Sequence, residues 1–221
     1  MFFKKNPNQV AKDLLALSTR RARKGPNLAG VWNEGAYSIP TDILIDVDSS
    51  KEKAEAILLG QFGPDLDFRI QYAYYRSLFE AASNAKLSGF VAKGAGILTA
   101  MTLSMIAIED IENRVFQEAE WAGNELTEMA NALQDAYFTV FGKMLAGIAY
   151  FYDRKAFVAY GPLSSALANL AQAEAQAHDG NALERLRKWA TVASGVFDEV
   201  KKDPMVRHQA KSGESWLRGH Q

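Results

Sequence analysis

Apolar residues recur at three- and four-residue steps through most of the chain, the spacing that gathers side chains on one face of an α-helix. The pattern predicts a first helix within residues 6–24 and further helices from Ser50 to about Lys202. Convincing alternation of apolar and polar residues occurs once, in "DILIDVD", and predicts a short extended segment. The expected fold class is therefore all-α, a bundle of long helices with one short extended segment near 42–48.

No second domain boundary or internal repeat interrupts this pattern. We expect a single helical domain over residues 1–203, made of an N-terminal helix with an irregular arm (1–49) and a helical bundle (50–203). Residues 204–221 lack a sustained apolar period, and we expect them to form a flexible tail.

A heptad-like apolar seam runs through the middle of the chain. It predicts one long helix from about Ser88 to about Tyr150, with bends at Gly123, Gly142 and Gly147. Such a seam is typical of coiled-coil contact with a protein partner or with a second copy of the chain. The candidate interaction residues on it are Ile111, Val115, Leu126, Met129 and Leu133.

One segment is apolar on every side. Residues 94–108 carry no charge, and residues 87–108 carry only Lys93. As a helix the longer range measures about 33 Å, enough to cross a bilayer core of about 30 Å. Small residues repeat along it every fourth position, a pattern that lets helices approach closely in lipid. These further candidate interaction residues are Ala92, Gly96, Ala100 and Ser104.

The same segment also fits the core of a soluble bundle, because its uncharged stretch is short for a span and the heptad pattern continues beyond it. Our leading hypothesis is a non-enzymatic, membrane-associated assembly or scaffold component, anchored through about residues 87–108. The alternative is a soluble cytoplasmic helical bundle that binds a partner protein or a small ligand. In that case residues 94–108 form the central helix, covered by helices at 65–84, 161–178 and 181–202.

A second apolar stretch, residues 136–152, has aromatic ends like those of membrane-spanning segments. These ends favour a second membrane-spanning segment, which would take the chain back across the bilayer. Lys143 lies at its centre, however, and an ammonium group is costly in lipid. The lysine favours a buried aromatic helix of a folded bundle.

Charge is distributed in blocks, although the formal net charge is only −1. Residues 1–30 are basic and residues 109–135 are acidic, so the positive-inside tendency predicts a cytoplasmic N-terminus if the chain crosses a membrane. A basic cluster ends the first predicted helix and is a candidate for contact with an anionic surface. Nucleic acid is not an expected partner, because the cluster lacks interleaved aromatic residues. Its members are Arg20, Arg21, Arg23 and Lys24.

Catalytic signatures are missing from the chain, and we predict no catalytic, cofactor-binding or metal-binding residue. The absence of cysteine excludes disulfides and thiolate metal sites. "ILIDVDSS" resembles the first motif of haloacid-dehalogenase-type phosphatases, which would make Asp46 a nucleophile, but the parallel sheet that this family needs is not predicted. A third class of function, an enzyme, would need a carboxylate site among Asp46, Asp48, Glu109 and Glu112.

Overall fold

The computed structural model describes residues 68–84 and 89–208, together with Leu58 and Lys86. All regular secondary structure within these residues is helical, which confirms the all-α fold class. The predicted N-terminal helix, the irregular arm with its extended segment near 42–48, and residues 209–221 lie outside the described residues.

The chain divides into two compact units, residues 1–102 and residues 103–221. The boundary between them falls inside one helix, so the single domain predicted over 1–203 stays a prediction. In chain order the helices are α1 (Phe68–Asn84), α2 (Phe90–Glu112), α3 (Phe116–Leu133), α4 (Ala136–Tyr152), α5 (Ala156–Ala168), α6 (Leu170–Ala175) and α7 (Gly180–Val200).

The long helix predicted from Ser88 to Tyr150 is wrong, because the chain turns twice within it. Arg114 and Gln134 have φ angles of 61° and 55°, in the left-handed region. In each turn the next backbone N–H donates back to a carbonyl five residues earlier, from Val115 to Asp110 at 2.8 Å and from Asp135 to Ala130 at 2.9 Å. These are helix-ending Schellman motifs, which usually carry glycine at the left-handed position. Their construction without glycine explains why the sequence shows no stop signal.

The same turn occurs a third time, after α4. Arg154 has a φ angle of 62°, and the Lys155 N–H donates to the Tyr150 carbonyl at 2.8 Å. The left-handed residues of these three turns stand at equal intervals along the chain, and α4 packs against both α3 before it and α5 after it. The second unit therefore contains a repeating helix–turn pattern that the sequence does not reveal.

The glycines predicted as bends are points of close helix packing instead. A Cβ atom at Gly142 of α4 would lie 2.6 Å from Thr127 Oγ1 and 2.9 Å from the Gly123 carbonyl oxygen, both in α3. A Cβ atom at Gly147 would lie 2.6 Å from Leu163 Cγ in α5. The missing side chains let neighbouring helices approach closer than any larger residue permits.

Helix α4 is the centre of the second unit, since it packs against α3, α5, α6 and α7. Its bounds coincide with the aromatic stretch 136–152, and Phe138, Phe141 and Met144 are almost completely buried. This agrees with the interpretation of that stretch as a buried helix. Residues 94–108, which the soluble-bundle hypothesis makes central, lie in α2 on both sides of the boundary between the units, so that part of the hypothesis stays a prediction.

The predicted flexible tail begins with ordered structure. Residues 204–208 are helical, and Val206 is 3% exposed. Asp203 caps this short helix, because its Oδ1 accepts from the Met205 N–H at 2.8 Å. Aspartate at the cap followed by proline is a standard helix start. Since a helix this short contains too few residues to show an apolar period, periodicity alone does not reveal it.

Candidate functional site

Helix α2 contains the apolar segment that the sequence singled out. It has 23 residues, a length of about 34 Å. Among the described residues it is the one helix long and apolar enough to cross a membrane, judged by length and composition only. In its most apolar 18-residue window, 61% is buried within the protein.

One side of α2 is less covered than the rest and is purely apolar. Between the exposed residues Lys93 and Glu109, every residue that is not buried is apolar. Met101, at the middle of the helix, is 44% exposed. With 3.6 residues per turn these side chains share one side of the helix, which we call the outer face. Its side chains are those of Ile97, Leu98, Met101, Met105 and Ile108.

The polar side chains in the middle of α2 are buried. Thr99 is 0% exposed, Thr102 5% and Ser104 1%. The two threonine hydroxyls donate to backbone carbonyls one turn earlier, Thr99 to Ala95 and Thr102 to Leu98, each at 2.7 Å. Polarity across α2 is therefore inverted relative to a helix that faces water, where polar groups point outward.

The small-residue stripe predicted along this helix lies on its covered part. Ala92, Gly96, Ala100 and Ser104 are all buried. Lys93 lies near the start of the helix, and the exposed Glu109 and Glu112 lie at its end, where Asp110 is buried. The stripe is thus positioned for close packing, and the outer face is flanked by charge.

The predicted seam residues do not form one continuous surface, because the turn at Arg114 separates them. Ile111 ends α2 partly buried, while Val115 lies in the turn and is 44% exposed. Leu126 and Met129 are buried in α3, and Leu133 is partly buried at its end. These last residues contribute to the core of the second unit. The basic cluster from Arg20 to Lys24 lies outside the described residues.

An ion network, invisible in the sequence, ties α3 to the turn between α4 and α5. Glu120 is only 8% exposed, and Lys155 Nζ donates to its two carboxylate oxygens at 2.9 and 2.8 Å. The same ammonium lies 2.7 Å from Asp153 Oδ2. These bonds raise the pKa of Lys155 above its usual range, so the residue stays charged and serves as a clamp rather than a base.

Acid is expected to weaken this clamp. The hydrogen bond from Lys155 lowers the pKa of Asp153 below its ordinary value of 3.8. A lowered carboxyl pKa adds stability above the unfolded-state value, and that stability is lost as the pH falls through the folded-state value. We therefore expect Asp153→Asn to make the free energy of unfolding depend less steeply on pH below about 4. Urea unfolding across the acid range measures this.

The matched control is Glu184→Gln, a change at an exposed position of α7. It should leave the acid dependence close to that of the unmodified chain. Equal acid sensitivity of the Asp153→Asn variant and the unmodified chain would show that the clamp does not control stability in acid.

The described residues contain no assembled carboxylate site of the kind that the enzyme hypothesis requires. No group of three or more histidine, cysteine, aspartate or glutamate side chains among them is arranged to hold a metal ion. Glu109 and Glu112 are exposed near the end of α2, while Asp46 and Asp48 lie outside the described residues.

Comparison with known proteins identifies no relative: no family model, curated protein or solved structure matches the chain.

Proposed function

We propose that this protein is a membrane-anchored helical protein, a non-enzymatic assembly or scaffold component that crosses the bilayer once through α2. The observation that carries the proposal is the inverted polarity of α2, with an apolar outer face and buried hydroxyls. In water, an uncovered side of a helix is expected to carry polar residues. In lipid, an apolar outer face matches the hydrocarbon, and hydroxyls bond within the helix as Thr99 and Thr102 do.

The ends of α2 support the same proposal. Lys93 lies near the start of the helix, where its long side chain can reach the headgroups. Glu109 and Glu112 lie within its last turn and are exposed. The apolar stretch between Lys93 and Glu109 contains no charged residue, and charged groups near the bilayer centre are what lipid disfavours most.

Helix α4 is not a second span in this proposal. Its residues pack against four other helices of the second unit, and Lys143 donates to Ser165 Oγ at 2.9 Å within that unit. A single crossing puts the residues before α2 and the residues after α2 on opposite sides of the membrane. The basic residues within 1–30 favour a cytoplasmic N-terminus.

An exposed apolar group on the second unit supports the role in assembly. It lies on the α2–α3 turn and around the α4–α5 turn, and the stacked rings of Phe116 and Tyr152, 5.5 Å apart, bring these two turns together. Neighbouring exposed apolar side chains are typical of protein contact sites. The group consists of Val115, Tyr152, Phe157 and Val158, which are 44%, 49%, 44% and 47% exposed.

One observation favours the alternative, a soluble cytoplasmic bundle that binds a partner protein or small ligand. Most of the apolar window of α2 is already buried by protein, as in the core helix of a soluble protein. Under this alternative the outer face is in contact with water or with a partner, and no lipid surrounds it.

Cysteine labelling separates the two proposals, because the chain contains no cysteine of its own. Met101→Cys and Val192→Cys replace residues of similar exposure, 44% and 39%, on α2 and α7. In open membrane sheets, a membrane-impermeant maleimide should label position 192 and leave position 101 unlabelled until detergent is added. Carbonate washing should leave the protein in the pellet.

The soluble alternative gives the opposite result. Both cysteines then react at similar rates without detergent, and carbonate releases the protein into the supernatant. That outcome would rule out the anchor while leaving the fold unaffected.

A further inference from the structure

The second unit contains a polar cavity of about 300 Å³. It lies beside the α3–α4 turn, and residues of α3, α4 and α6 line it together with Asn169 between α5 and α6. Its lining is rich in carboxamides, which offer both hydrogen-bond donors and acceptors. The polar groups that matter for recognition are Asn131, Gln134, Thr139, Lys143, Asn169 and Gln172.

Lys143 is the one cationic side chain in this lining. Its ammonium donates to Ser165 Oγ at 2.9 Å, which uses one of its three donors. Among the ion pairs of the described residues, none joins Lys143 to a carboxylate. With one hydroxyl partner and no direct carboxylate partner, the ammonium has two N–H donors left with which it can pair with an anion.

Asp135 is the one carboxylate in the lining, and other groups already engage it. Its Oδ1 accepts from the Phe138 N–H at 3.0 Å, where it caps α4. Its Oδ2 lies 3.3 Å from His178 Nε2. Both oxygens of Asp135 therefore have partners within the protein, whereas Lys143 has donors left for a bound ligand.

We propose that this cavity binds a small organic carboxylate that carries hydroxyl or amino groups. The ammonium of Lys143 pairs with the carboxylate of the ligand, and the surrounding carboxamides bond to its other polar groups. The volume lies at the small end of the range for ligand sites, about 300–1,000 Å³, which fits a molecule of the size of citrate or glutamate. The site does not depend on whether α2 crosses a membrane.

Binding is tested on the purified full chain by calorimetric titration with citrate and with glutamate, and with inorganic phosphate and glycerol as comparison probes. We expect saturable binding of at least one of the two carboxylates and none of glycerol. Lys143→Met keeps the length of the side chain and removes its charge, so it should weaken binding roughly tenfold or more. Lys188→Met, at an exposed position of α7, should leave the affinity unchanged.

Gln172→Ala is a second variant at an exposed lining residue, and it covers the case in which Lys143→Met does not fold. It should weaken the same carboxylate without affecting thermal stability. The proposal is overturned if neither carboxylate binds at millimolar concentration or if phosphate alone binds. Equal affinity of both lining variants and the unmodified chain would overturn it as well.

Discussion

Replacing Gly142 with alanine is expected to destabilise the protein by about 2 kcal/mol or more. The new Cβ atom would lie 2.6 Å from Thr127 Oγ1 and 2.9 Å from both the Gly123 carbonyl oxygen and the Thr127 nitrogen. Two of these atoms belong to the backbone of α3 and have no rotamer by which to move away. Helix α4 would have to shift away from α3, which opens gaps in the most buried part of the second unit.

Gly195→Ala is the matched control, because Gly195 also lies within a helix, α7, but a Cβ atom there would meet nothing within 4 Å. Alanine is intrinsically more favourable than glycine in a helix by about 0.5–1 kcal/mol, so this variant should be stabilised. Urea unfolding of the full chain measures both changes. Equal stability of the two variants would mean that Gly142 is not a point of close contact between α3 and α4.

Replacing Met101 with arginine is expected to reduce integration into membranes roughly a hundredfold. Met101 lies at the midpoint of α2 on its outer face and is 44% exposed. An arginine at the centre of a spanning helix costs about 2.5–3.5 kcal/mol on insertion scales, and each 1.4 kcal/mol is a factor of ten. The fraction of protein that resists a carbonate wash measures the effect.

A soluble core helix predicts a different result for the same variant. An arginine on a half-exposed position keeps its charge in water, so stability should change by no more than about 0.5 kcal/mol. Val192→Arg on α7, at a residue 39% exposed, should have no effect on membrane integration under either proposal. If Met101→Arg remains as firmly in the carbonate pellet as the unmodified chain, lipid does not surround the outer face of α2.

The local spacing of apolar residues was sufficient to predict much of the helical structure. The aromatic stretch 136–152 became α4 with the same bounds, because apolar residues at helical spacing commit a segment to a helix wherever it packs. Lys143 favoured a buried helix within a bundle, and α4 does pack against four other helices. Its partner, Ser165 in α5, could not be predicted, since the two residues are 22 positions apart and meet only when the helices pack.

The prediction of one long helix failed for a specific reason. Arg114 and Gln134 are ordinary helix formers. Their left-handed conformation is stabilised by backbone hydrogen bonds, which the residue types at these positions do not indicate. The seam of apolar residues continues through both turns, so periodicity alone does not show where one helix ends. Packing of α3 against α4 favours the broken form, because it buries both apolar faces within one unit.

The sequence by itself determined that the protein is helical, that it has no cysteine chemistry, and that one segment is apolar on all sides. Only the tertiary structure decided where the helices end, which glycines serve as contact points, and that Glu120 pairs with Lys155. It also decided which side of α2 is left most exposed and that the hydroxyls in the middle of that helix are buried. The physical reason is range: helix formation depends on residues within one or two turns, whereas burial and pairing depend on residues that meet only after the chain has folded.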